Sequence, residues 1–342
     1  MIAHINPVPA ATIDQAPQAS RWLTALGSLK LTLPALVLLA LGVAVAYDRQ
    51  GDGQATWPLV LPLSLLAVNL TAAVAGNRAF RRQVALLVFH LALLAIIVLI
   101  TLGRLTYLRG AAEVVSGGEF EGLILRDAGP WHSGNLDAVR FGSEGFGIRY
   151  APGLQREGTS NRVTWRDPGG LPRHADIGDQ VPLVLHGYRF YTTHNKGFAP
   201  VFRWQPERGE PLRGSVHLPA YPLHDYAQEQ RWQLPDGSQE LWVMLKFTEV
   251  LLDPARHGEF RLPERHQLVV RAGDRRAELV PGERLALPGG TLVYEGLRTW
   301  MGYAVFYDWT MPWLLAACAL AVSALAWHFR VKYFARPWRE DA

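Results

Sequence analysis

Two of the eleven histidines in this 342-residue chain stand where an imidazole is chemically out of place. His90 lies in Val84-Ala85-Leu86-Leu87-Val88-Phe89-His90-Leu91, inside a stretch from 83 to 103 that carries no Asp, Glu, Lys or Arg. An ionisable group at bilayer depth costs free energy, so its presence defaults to a functional reading. A neutral imidazole offers one nitrogen lone pair to a metal, which suits an axial haem ligand in an apolar setting. The competing reading is an interhelical hydrogen bond, with Asn69 as the partner. His328 closes another uncharged stretch at a similar depth, so an intrachain pair with His90 is geometrically available. A plain interfacial histidine beside Arg330 explains His328 equally well.

The remaining chemistry is sparse. His132, His174, His186, His194, His217, His224, His257 and His266 fall between the last two apolar stretches, and none are spaced i,i+4 on a helix or i,i+2 on a strand to aim two imidazoles at one metal. His186 and His194 share one expected strand and one face of it, yet stand too far apart to share an ion. Asp225, Glu229, Asp236 and Glu240 are interleaved with Gln and Pro and read as a solvated loop. There is no P-loop, dinucleotide-binding glycine motif, nucleophile elbow, HExxH or EF-hand loop, so no catalytic residue is assigned. The single cysteine, Cys318, excludes an intrachain disulfide, a CxxC pair and a CxxCH haem-attachment site. Seven tryptophans from Trp131 to Trp309 read as core and rim residues of a folded domain, with a haem-facing aromatic surface as the alternative.

The elements that hold these residues follow from where charge is missing. Four stretches carry no Asp, Glu, Lys or Arg: 31–47, 53–77, 83–103 and 309–329. A hydrocarbon core of roughly 30 Å takes about 20 apolar helical residues. The last three stretches meet that length, and the first reaches it when its helix begins near Trp22 and Lys30 extends its amine to the headgroups. The expected architecture is an integral membrane α-helical protein with transmembrane helices at 22–47, 57–76, 84–103 and 309–329. A flexible tail at 1–21 precedes them and a basic tail at 330–342 follows. Leu31–Ala46 also fits the apolar region of a signal peptide cleaved at Ala44-Val45-Ala46, although its leader would be long.

Arg21, Lys30, Arg78, Arg81, Arg82, Arg330, Lys332, Arg336 and Arg339 flank the apolar stretches on one side, and only Arg49 on the other. The positive-inside rule therefore puts both termini in the cytoplasm and residues 104–308 outside, which in a bacterial inner membrane is the periplasm. Trp57, Trp309 and Trp313 then fall at the outer interface and Trp327 at the inner one. Between Arg104 and Asp308 stand 24 Lys/Arg and 25 Asp/Glu, so the net charge of +4 belongs to the helix flanks and implies no nucleic-acid partner. Short β-branched segments broken by Gly, Pro, Asp and Asn predict a large extracytoplasmic β-rich domain at 104–308, inserted between the third and fourth helices, such as an antiparallel sandwich. Val181–Thr193, Leu241–Leu252, His266–Arg271, Glu278–Val280 and Thr291–Leu297 are the clearest strands.

Leu26-Gly27-Ser28-Leu29-Lys30-Leu31-Thr32-Leu33 resembles the opening of the ResB-like (CcsB) cytochrome c biogenesis proteins of the system II pathway. In order follow Leu65-Leu66-Ala67-Val68-Asn69-Leu70, the basic 78–82 loop, Phe89-His90-Leu91-Ala92-Leu93-Leu94, Gly103-Arg104, Tyr107-Leu108-Arg109-Gly110 and Gly118-Glu119. Tyr294-Glu295-Gly296-Leu297-Arg298 and Asp308 are similar too. The motifs are individually weak; their order and the layout of three helices, a β domain and a last helix carry the resemblance, with 125–240 departing most. It implies a subunit of a holocytochrome c synthase complex that helps export haem b and present it to apocytochrome c, alongside a CcsA-type membrane partner and thiol-reducing proteins. His90 matches the transmembrane histidine that such proteins contribute as one axial haem ligand, the second coming from the partner. The tryptophan-rich haem motif belongs to that partner, and Trp300-Met301-Gly302-Tyr303 does not replace it. The alternative function is a membrane-anchored scaffold whose β domain docks a redox partner without haem. A solute transporter is disfavoured by the absence of an inverted repeat.

Overall fold

A computed structural model describes residues 18–49, 56–77, 80, 82–178, 180–219 and 228–334. The tail up to residue 17, Arg78 and Arg81, His224 and Asp225, and Arg336 and Arg339 lie outside the described residues. The chain divides into two compact units, Met1–Thr106 with Gly129–Trp131 and Trp309–Ala342, and Tyr107–Ala128 with His132–Asp308.

The first unit is helical. Its elements are α1 (Gln18–Leu26), α2 (Leu29–Asp48), α3 (Trp57–Gly76), α4 (Val84–Thr106) and α5 (Met311–Phe334). The last four are long and apolar enough to cross a membrane, with mean hydropathies of 2.2, 2.0, 3.0 and 1.7. Helix α2 packs on α3, α3 on α4, and α4 on α5. Helix α2 closes on α3 at Gly42, where a Cβ would stand 2.1 Å from the Pro58 carbonyl oxygen.

The helix expected over 22–47 is in fact two. The chain breaks at Gly27-Ser28, with Ser28 in extended backbone and its hydroxyl accepting from Lys30 N at 3.2 Å. Two features compel the break. A Cβ at Gly27 would lie 2.7 Å from Ala73 Cα, so only glycine lets α3 come this close. The buried Asn69 amide then donates to two backbone carbonyls at the break, Leu26 O at 2.6 Å and Ser28 O at 3.2 Å, while its oxygen accepts from the Thr32 hydroxyl at 2.8 Å. Helices α4 and α5 also run past their uncharged stretches, to Thr106 and Phe334. An uncharged stretch measures the apolar length of a helix, and Arg104, Arg330 and Lys332 are good helix formers that extend it.

The second unit is β-rich and antiparallel throughout, with three sheets where a simple sandwich has two. In the eight-stranded sheet the order is Leu218–Pro219, Tyr188–Pro206, Gly290–Tyr307, Leu108–Val115 and Leu125–Ala128, with Leu183–Leu185, Leu212–Ser215 and Arg284–Leu287 alongside. The five-stranded sheet centres on Gly142–Ala151 and Gln155–Arg166, and the four-stranded one on Glu240–Lys246 and Gln267–Ala272. Two apolar cores fill the unit. One gathers Phe198, Phe202, Trp204, Val243, Leu268 and Tyr294, and the other Leu108, Phe141, Val163, Phe190, Met301 and Tyr303.

The expected run Val181–Thr193 is a hairpin. His186 and Gly187 both have positive φ, 50° and 83°, the twist that a two-residue turn between right-handed strands requires. The strand after the turn is 19 residues long and pairs with the 18-residue strand Gly290–Tyr307 through register shifts at Tyr294/Gly296 and Met301/Tyr303. Those bulges let one pair of strands serve both cores.

Candidate functional site

His90 sits one and a half turns into α4 and is half-buried. Its Nδ1 lies 2.8 Å from the Leu86 carbonyl oxygen, one helical turn back. A carbonyl can only accept, so Nδ1 carries a proton and donates it, and in the neutral form of the ring the lone pair is on Nε2. Among the described residues Nε2 has no hydrogen-bond partner. This is how a backbone acceptor fixes the tautomer of a metal-binding imidazole while leaving the other nitrogen available. Two aromatic rings flank it, Phe80 with centroids 4.6 Å apart and Phe89 at 5.3 Å in an edge-on arrangement.

The interhelical bond from His90 to Asn69 is not made. Both Asn69 amide functions are spent at the break between α1 and α2. His328 lies on α5, half-buried, with its ring 5.8 Å from Phe329. The Trp309 indole donates to the Thr106 hydroxyl at 2.9 Å, so the end of α4 and the start of α5 are neighbours and the two helices run antiparallel. Sixteen residues separate His90 from Thr106 and seventeen separate Met311 from His328, which puts both imidazoles about 24–26 Å along the axis from that shared end. The structure brings them to one level of adjacent helices, with no hydrogen bond between them among the described residues.

In the β unit, no group of three or more metal-binding side chains occurs among the described residues. His132 Nε2 meets the Tyr188 hydroxyl at 2.8 Å and His266 Nε2 the Tyr294 hydroxyl at 2.7 Å. His257 stands 3.4 Å from Glu157 on the surface. Glu229 and Glu240 are on the surface, Glu240 paired with Arg231 at 3.3 Å, whereas Asp236 organises a turn and accepts from the Trp204 indole at 2.5 Å. Hydrogen bonds from Ser238 and from that indole hold the Asp236 carboxyl below the usual range. The tryptophans do not form one platform. Trp204 and Trp300 are buried, Trp242 lies under the Arg271 guanidinium at 5.0 Å, and Trp131 is exposed.

One cluster has no antecedent in the histidine spacing. His217 Nδ1 contacts Glu113, its Nε2 lies 3.2 Å from the Ser215 hydroxyl, and its ring stacks on Trp300 at 4.9 Å. It lines a cleft of about 330 Å³ with Arg213, Arg298 and Glu119. The available signal was Ser215-x-His217, since residues two apart on extended chain face one way. Glu113, 104 positions away, is placed by the sheet alone.

The family model described as ResB-like matches residues 66–333, from the middle of α3 to the penultimate residue of α5. A segment of 78 residues is 30% identical to the ADIPOR-like receptor IZH3 of Saccharomyces cerevisiae, covering 20% of this chain and 14% of that receptor's length.

Proposed function

The chain belongs to the ResB-like family of cytochrome c biogenesis subunits, and from that premise we propose that it carries haem as cargo through a site built on His90. In this reading α2, α3, α4 and α5 cross a bacterial inner membrane, both termini are cytoplasmic, and the β unit is periplasmic. The asymmetry of nine flanking Lys/Arg to one supports that orientation. His90 then lies near the cytoplasmic face, where haem would be received.

The observation that carries the proposal is the His90 tautomer. Helix geometry donates Nδ1–H to Leu86 and leaves Nε2 as a neutral nitrogen ligand in an apolar setting. The flanking Phe80 and Phe89 rings suit a flat aromatic macrocycle. One protein nitrogen supplies one axial position, so a second comes from elsewhere, and we assign it to a CcsA-type membrane partner. Apocytochrome c and thiol-reducing proteins are the downstream partners. His328, on the same level of the adjacent helix, is the alternative second ligand, and a six-coordinate spectrum from the chain alone would favour it.

The test is a visible spectrum of the chain purified with and without a co-expressed CcsA-type protein. Haem with a six-coordinate spectrum is expected only in the co-expressed sample. A stoichiometric complex devoid of haem would leave the scaffold reading in its place.

A further inference from the structure

The β unit begins and ends within a few residues of membrane helices. Leu108 follows the end of α4 at Thr106 by two positions, and Tyr307 precedes the start of α5 at Met311 by four. Two strands of the eight-stranded sheet, Leu108–Val115 and Gly290–Tyr307, are therefore each joined to a membrane helix by a few residues of chain. At about 3.3–3.6 Å per extended residue, Arg109 lies no more than about 11 Å along the chain from Thr106.

Register defines the outward face of those rows. Arg109 pairs with Phe306, Phe306 with Arg189, and Arg189 with Val184, while Asp127 flanks Arg109 on its other side. The strand residues before and after them, Leu108, Tyr188, Phe190 and Val305, are fully buried, so this row points away from the core. Phe306 is 39% exposed and Val184 54%, and Tyr191 of the next outward row stacks edge-on with Phe306 at 5.9 Å. Neither Arg109 nor Arg189 has a carboxylate partner among the described residues. The neighbouring Asp127 is engaged by the Tyr107 hydroxyl at 2.8 Å. The row thus sets two guanidinium groups without a carboxylate contact among the described residues beside exposed apolar side chains, with Asp127 at its end.

Resting on the membrane orientation proposed above, we infer that this row is a binding surface for anionic phospholipid headgroups, with Arg109 and Arg189 on the phosphates and Phe306 and Val184 against the upper acyl chains. Three observations converge on it. Cations that stay unpaired in the fold want an anion, and guanidinium groups grip phosphate through two parallel N–H bonds. An aromatic between two arginines suits the membrane–water interface, where one side of a surface is apolar and the other wet. Chain connectivity leaves Arg109 only three residues beyond the last residue of α4, so in the proposed orientation headgroups are anions within reach of it. A protein partner with an acidic loop would use the same arginines, and the experiment separates the two.

The full chain is reconstituted into phosphatidylcholine nanodiscs with and without phosphatidylglycerol, as the native sequence and as Arg109→Gln, Arg189→Gln and the double variant. Native mass spectrometry counts the phosphatidylglycerol retained. Each arginine near an anionic surface strengthens retention about fivefold, so each single variant should lose about that factor and the double variant both. In a Cys318→Ser background, a nitroxide on Phe306→Cys should be accessible to oxygen and shielded from an aqueous nickel complex without any partner present. Unchanged phosphatidylglycerol retention in the double variant, or a label shielded only when a CcsA-type protein is added, would overturn the inference. Haem measured on the same variants co-expressed with a CcsA-type protein keeps the two ideas apart, since an intact His90 site with no lipid dependence sinks only this one.

Discussion

Tyr303→Phe isolates a single buried hydrogen bond. The Tyr303 hydroxyl donates to Asn161 Oδ1 at 2.5 Å, and Asn161, with no exposed surface, donates from Nδ2 to the Ser143 hydroxyl at 3.0 Å and to the Gly145 carbonyl at 2.7 Å. Phenylalanine fills the same volume, so the substitution removes the bond without opening a cavity. Asn161 Oδ1 is then left unpaired where water cannot reach it, which costs about 1–3 kcal/mol. For a domain of this size each kcal/mol is worth about 2–4 °C, so the melting point of the full chain should fall by roughly 4–8 °C for a mid-range cost of about 2 kcal/mol. Asn161→Ala breaks all three bonds and should cost more, about 3 kcal/mol or above. The double variant should fall short of the sum of the singles by about 0.5–3 kcal/mol, because the two residues share the bond. The assay is thermal unfolding in detergent followed by tryptophan fluorescence. If Tyr303→Phe melts with the native protein and the two substitutions add fully, the network carries no stability and the reasoning fails.

Three further outcomes follow from other parts of the molecule. Gly42→Ala puts a methyl group 2.1 Å from the Pro58 carbonyl oxygen, so α2 and α3 must separate at a cost of about 1–3 kcal/mol, read as a lower melting point of the helical unit. Burial lowers the pKa of His266 against weaker opposing effects from the Pro263 backbone and Glu249. Its folded value therefore lies below its unfolded one, the stability it supports is complete above the ordinary pKa of about 6.5, and it is lost as pH falls below that. His266→Gln should flatten the pH dependence of melting between about 5 and 7, and an unchanged profile would show that His266 does not contribute. Reporter fusions after Arg82 and Arg339 should read cytoplasmic and one near Gly209 external; an external signal at Arg82 inverts the topology.

The helices were legible in the sequence because an uncharged stretch of bilayer length has few other uses. The break at Gly27-Ser28 was not, since nothing within the segment reports that Ala73 and Asn69 of another helix will press against it. The strand-rich character of 104–308 could be read from its turns. Of the two longest strands only parts could be read, within Val181–Thr193 and Thr291–Leu297, and their full lengths could not, because the register shifts at Tyr294/Gly296 and Met301/Tyr303 interrupt regular pairing. His90 stood out as a polar group in an apolar helix, whereas its tautomer needed the position of the Leu86 carbonyl. Glu113 and His217 meet only through sheet topology, across a separation no local pattern spans.

The central claim is that His90 Nε2 ligates haem. It is tested most directly by haem content and visible spectrum of the assembled complex carrying His90→Ala, His90→Gly with and without added imidazole, and His328→Ala. Loss of haem and of holocytochrome c is expected with His90→Ala, partial recovery of both when imidazole is supplied to His90→Gly, and a smaller effect with His328→Ala. Full haem content and full cytochrome maturation in His90→Ala, at native protein levels, would contradict it.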